Sequence, residues 1–244
     1  MKELRLLILS SGRKKTRSSL LALLLLIGVA GYLISAWQQP ATTAGAPVYQ
    51  GSSKEKQVAL TFNVVWGEEY VPQILEVLRK NNVPATFFIG GQWAEDFPAL
   101  TKQIAQDGHE VGNHGFSHPH PDGISRSANL EEIKKTETAI EDASGIKTKL
   151  FAPPYGERGN AVLEAAEDAG YQTILWSVDT IDWQRPDPSI VVKRVVEKAH
   201  NGAIVLMHPT APTVHALPEI IAALKKEGYE IVRVSMLLEG LKTQ

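Results

Sequence analysis

From Gln57 to the C-terminus, short apolar, β-branched runs alternate with longer stretches of helical period, and this alternation limits the fold more than any other feature. Runs at 58–62, 85–89, 110–113, 150–152, 172–178, 203–207 and 230–234 read as strands. Helices are expected over 70–81, 93–106, 130–144, 161–169, 189–199 and 216–227, with a last short one over 236–241. The first carries Val71, Ile74, Leu75 and Leu78 on one face, and Gly145, Gly170 and Gly228 stop three of the others. Near-continuous hydrophobic strands covered by helices imply a parallel sheet. The expected fold is therefore a deformed (β/α) barrel of about seven parallel strands. No Gly-x-Gly-x-x-Gly follows the first strand, so a dinucleotide fold lacks its fingerprint.

In parallel α/β folds the site forms at the C-terminal ends of the strands. Here those ends carry unlike but reactive groups. Asn63 follows the first strand, with Trp66-Gly67-Glu68-Glu69 just beyond, and His114 and His118 follow the third. Pro153-Pro154-Tyr155-Gly156 follows the fourth, Asp179, Asp182 and Trp183 the fifth, and His208-Pro209 the sixth. Histidines, carboxylates, aromatics and tight turns delivered by five strand ends are hard to assign to packing. His114 and His118, four residues apart in a Gly/Pro-punctuated segment, can converge on one metal ion. A zinc protease of the His-Glu-x-x-His kind is excluded, because no glutamate lies between them and Gly115 opposes a helix there.

Composition removes further classes. The formal net charge is −2 and the pI about 6.4, without a basic stripe, so no nucleic-acid partner is indicated. With no cysteine among 244 residues, disulfides, thiol nucleophiles and thiolate metal sites are all absent.

The N-terminal region differs from the rest. Residues 19–37 carry no charge and form a run of 19, about the length that crosses a bilayer as a helix. Lys2, Arg5, Arg13, Lys14, Lys15 and Arg17 precede it against a single Glu3, which orients the N-terminus to the cytoplasm and the remainder outside. The expected organisation is a basic cytoplasmic tail over 1–18, a transmembrane helix over 19–37, a linker over 38–56 and one folded domain over 57–244. Location in the cell membrane as a single-pass protein follows. A cleaved signal peptide is the rival, since Ala44-Gly45-Ala46 has the pattern of a cleavage site.

The stretches TFNVVWGEEY (61–70), ATFFIGG (85–91), DGHEVGNHGFSHP (107–119), FAPPYG (151–156), WSVDTIDW (176–183) and IVLMHP (204–209) resemble, in order and spacing, the NodB-homology domain of polysaccharide deacetylases. That family is carbohydrate esterase family 4, and the likeness is greatest to its sporulation-associated branch. The resemblance implies a deformed (β/α) barrel, a divalent metal such as zinc, and hydrolysis of N-acetyl groups on glycans such as peptidoglycan. It implies His114 and His118 as metal ligands, His208 as the acid that protonates the leaving amine, and Asp179 as the carboxylate supporting it. It also implies that Tyr155 lies in the turn whose backbone N–H helps hold the oxyanion, and that Trp183 and Leu206 line the acetyl pocket. In such chemistry a metal activates water, a backbone donor steadies the oxyanion and a histidine proton releases the amine.

The departures are as specific as the matches. Asn63 stands where the family has its base aspartate, and Val64 where it has a metal-binding aspartate. Ala152 replaces the arginine that pairs with that base; without the carboxylate such an arginine would lack its partner. Glu68, Glu69 or, more weakly, Asp182 could substitute as base or third ligand. His120, between two prolines, is expected to be exposed, and Trp66 and Trp93 are expected to pack, exposure being what would make either a sugar platform. Two functions stay open: a membrane-anchored, metal-assisted deacetylase of cell-wall glycan with a substituted base, or a glycan-binding protein of the same fold with impaired catalysis.

Overall fold

A computed structural model of the chain describes residues 45–242. The expected tail, transmembrane helix and linker as far as residue 44 lie outside the described residues. Among the described residues no helix is long and apolar enough to cross a membrane.

β1 (Gln57–Val64) is the centre of the sheet, and it is buried over nearly its whole length. β2 (Thr86–Ile89), β3 (Glu110–Asn113), β4 (Leu150–Phe151) and β5 (Gln172–Thr173) follow outward on one side, and β7 (Ala203–Met207) and β6 (Val178–Asp179) on the other. Every pairing is parallel. β8 (Glu230–Val232) pairs with residues 57–59 of β1, and β2 pairs with residues 61–64. Since β7 occupies the other edge of β1, β8 and β2 share one edge, stacked end to end.

α1 (Val71–Asn81), α2 (Gly91–Asp96), α3 (Pro98–Gln106), α4 (Arg126–Ser144), α5 (Asn160–Asp168), α6 (Pro188–Val196), α7 (Ala211–Lys226) and α8 (Val234–Lys242) connect the strands. The larger core lies between helices and sheet. Val58, Leu60, Phe62 and Val64 of β1 join Ile74, Leu78, Leu217 and Ile220 there, with Phe62 stacked on Phe87 at 4.9 Å. A second core, with Ala59, Phe88, Ile174, Ile204 and Val232, takes the opposite phase of the strands. The two sets alternate along β1 because successive strand side chains point to opposite faces.

Three differences from the sequence expectation have physical causes. The helix expected over 93–106 is two helices, because Phe97, ahead of Pro98, takes φ −126° and ψ 56° and cannot remain helical. The helix expected from 216 begins at Ala211: Thr210 caps it through Thr213 N, and a proline in the first turn forfeits no hydrogen bond. The strand expected over 172–178 is split between β5 and β6, on opposite edges of the sheet. Ile174 N donates to Phe151 O and Ser177 N to Ile204 O, so residues 174–177 carry the chain across the barrel seam. Val48 pairs with Ile174 and Gln50 with Ala203, so part of the expected linker fills the same seam.

Candidate active site

The residues expected from the strand ends occupy the C-terminal face of the sheet, and the turns that present them are strained. His118, Tyr155, Ile181 and Arg185 have φ between 52° and 57°, a region costly for residues with a side chain. Among the described residues the remaining non-glycine case, Asn82, is the ordinary left-handed cap of α1. Strain of this kind persists only where the surroundings over-determine the turn, as at functional sites.

His114 is buried and its Nδ1 donates to Ala152 O at 2.6 Å, which leaves Nε2 with the lone pair. Burial, then the neighbouring His118, push its imidazole down to about 3, so it stays neutral. His118 lies 5.0 Å away, centroid to centroid, and burial lowers its pKa as well. The loop between them is held from α4. Glu132 accepts from Phe116 N, Ser117 N and Ser117 Oγ, while Asn113 Oδ1 accepts from Gly115 N. A glutamate amid the polar face of a long helix gives no sequence signal for this role.

The resemblance implies that Asp179 supports His208; in the structure the carboxylate on His208 is Asp182. Asp182 is fully buried and accepts from His208 Nδ1 at 2.8 Å, from His208 N at 2.6 Å and from Thr213 Oγ1. Asp179 instead accepts from Ile181 N at 2.8 Å and steadies the turn that carries Asp182 inward. The spacing of two aspartates three apart does not distinguish them; the left-handed turn at Ile181 does. Thr210 Oγ1 completes the chain by bonding Thr213 Oγ1. Because a carboxylate only accepts, His208 carries its proton on Nδ1 and faces the site with Nε2 as its working atom.

Leu206 is buried in β7, while Trp183 and Tyr155 are 52% and 55% exposed. Tyr155 packs between His118, edge-on at 4.6 Å, and His120, face-on at 4.0 Å. His120 is exposed, as expected, but it is also fixed: Nδ1 bonds Glu157 Oε1 at 2.7 Å. Trp93 is buried; Trp66 stays partly exposed and stacks on His208.

Few donors on this face could hold the metal that the resemblance implies. Asn63 is buried at the end of β1, opposite Phe88 of β2. Val64 is fully buried in the helix-facing core with Val71 and Ile74. Glu68 and Glu69 are exposed. Among the described residues no three His, Cys, Asp or Glu side chains come together as a ligand set. Two imidazoles fall short of the three protein ligands of catalytic zinc. The residues present do not fit the expected metal, and Glu68, Glu69 and Asp182 do not complete it.

The family model described as Polysaccharide deacetylase matches residues 50–174. An uncharacterized Bacillus subtilis protein, YlxY, is 43% identical over 193 residues, covering 79% of this chain and 60% of its own length. This chain thus spans less than two thirds of that relative. A Bacillus cereus peptidoglycan-N-acetylglucosamine deacetylase is 34% identical, covering 81% of this chain and 74% of the relative. The crystal structure of a family 4 carbohydrate esterase pseudoenzyme from Bacillus anthracis superposes with TM-score 0.79 at 44% identity, covering 80% of this chain and 70% of that one. A mutant of that pseudoenzyme, described as having restored enzymatic activity, superposes equally well at 42% identity.

Proposed function

The chain belongs to the polysaccharide deacetylase family, and on that premise we propose that it binds N-acetylated cell-wall glycan, such as peptidoglycan, with its hydrolytic chemistry impaired. The observation that carries this reading is the end of β1, where this chain has Asn63 and Val64 at the positions for which the resemblance implies two aspartates. An amide cannot take a proton from water, and a valine in the helix-facing core cannot bind a cation. What survives is the half of the site that handles the sugar. His208, oriented by Asp182, presents Nε2 to a leaving or bound nitrogen. The turn at Tyr155 offers the Tyr155 N–H to a carbonyl oxygen, the Gly156 and Glu157 N–H groups being bonded to Pro153 O and Pro154 O.

The retained His208–Asp182 pair supports a second reading, residual deacetylation without the usual base, whose loss costs a factor of about 10²–10⁴. The uncharged, 19-residue run at 19–37 supports a membrane-anchored protein with its folded domain outside the cell.

The test uses the purified full chain, acetylglucosamine oligomers and peptidoglycan. Binding without acetate release, with or without added zinc, is expected. Metal-stimulated release that disappears in His114→Ala would overturn the binding-only reading in favour of the second.

A further inference from the structure

Trp66 stands three residues beyond Asn63, in the turn from β1 to α1. Its indole lies parallel to the His208 ring, 5.9 Å between centroids and 8° between planes. It is nonetheless 37% exposed, so core packing does not account for it. Among the described residues, the exposed large aromatics are Tyr49, Trp66, Tyr155 and Trp183, and the last three all follow strand ends on the face of the site.

The turn holding Trp66 is rigid. Gly67 has φ 82°, and a Cβ there would lie 2.3 Å from Pro209 O, so this turn presses on the turn that carries His208. Gly67 O also accepts from Tyr70 N at 2.9 Å and from Val71 N at 3.3 Å, where α1 begins. These bonds fix the backbone that presents the indole, and the stack on His208 holds its ring. A ring fixed in advance loses little entropy when a ligand lies against it.

We propose that Trp66 is a sugar-stacking platform that holds one pyranose ring of an N-acetylated glycan beside His208. A pyranose presents an apolar C–H face ringed by polar groups, and such a face suits the negative face of an indole while its hydroxyl and acetamide groups reach neighbouring donors. His208 covers one side of the indole, and the residue is still 37% exposed. This inference rests on the glycan-binding reading above.

The test titrates tetra-N-acetylchitotetraose into the full chain by calorimetry. Trp66→Ala and Trp66→Leu should each weaken binding about tenfold, while Trp66→Tyr stays within about threefold. Trp66→Leu keeps an apolar cover on His208 but removes the π-face, which separates a platform from a mere spacer. In the unsubstituted protein, nuclear Overhauser contacts between the Trp66 indole and pyranose ring protons are expected. Affinity within twofold of wild type for the Ala and Leu variants, or absence of those contacts in a bound complex, would overturn the platform and leave glycan binding standing. Failure of the wild type to bind either the tetramer or peptidoglycan fragments would overturn both.

Discussion

The positions at which this chain departs from the pattern of the family it resembles, Asn63, Val64 and Ala152, are local, and their effects are local too. Val64 is fully buried among Val71 and Ile74, so Val64→Asp places an unpaired charge in the core. A loss of about 3 kcal/mol or more in unfolding free energy is expected in chelator, measured by urea denaturation. Zinc should raise the melting temperature of Asn63→Asp/Val64→Asp more than that of the wild type, because the variant restores the two carboxylates that the resemblance implies beside His114 and His118. Glu132 holds two backbone amides and one hydroxyl, and Glu132→Ala should cost about 2–3 kcal/mol. Faster hydrogen exchange at Phe116 and Ser117 N–H is the accompanying sign. His114 gives a pH prediction. Its ordinary value is 6.5 and burial lowers it to about 3, so the unfolded chain binds a proton that the folded site refuses. Its contribution to stability is complete above pH 6.5 and is lost as pH falls from 6.5 towards 3. Burial lowers His118 and His109 as well, which adds the same sign. Urea midpoints from pH 7 to pH 4 should fall less steeply in His114→Gln than in wild type.

At the scale of elements, the seam between β5 and β7 is where the barrel depends on unusual parts. β6 closes it on β7, while Val48 to Gly51 fill the rest, with Gly51 N donating to Gly202 O at 2.8 Å. Gly202 has φ 80°, and a Cβ there would come within 2.7 Å of the Gly51 and Ser52 carbonyl oxygens. Gly202→Ala should therefore cost about 2 kcal/mol or more, from left-handed strain and contact together, read as a lowered melting temperature. Most element positions were legible in the sequence, because apolar periodicity follows from which faces are covered. The boundaries at Phe97, Thr210 and residues 174–177 were not. Each depends on a proline, a cap or a change of pairing partner that leaves hydrophobicity unchanged.

For the whole molecule, the sequence locates the site but not its state. Parallel strands bring five strand ends to one face, which is the ground on which the sequence groups His114, His118, Tyr155, Trp183 and His208; in the structure His114, His118 and Tyr155 are in ring contact. Anchoring belongs to this scale as well: the full chain expressed in a Gram-positive host should stay in the membrane fraction after alkaline washing, whereas a cleaved leader would release residues 47–244. Sequence by itself determined the fold class and the presence of Asn63 and Val64 where the resemblance implies carboxylates, since periodicity and residue identity are properties of the chain. The partner of His208 was decided only by tertiary structure, because a left-handed turn at Ile181 sends Asp182 inward and leaves Asp179 to the loop. The exposure of Trp66 and the grip of Glu132 on the histidine loop were decided the same way, by contacts between segments far apart in sequence, which no local pattern encodes.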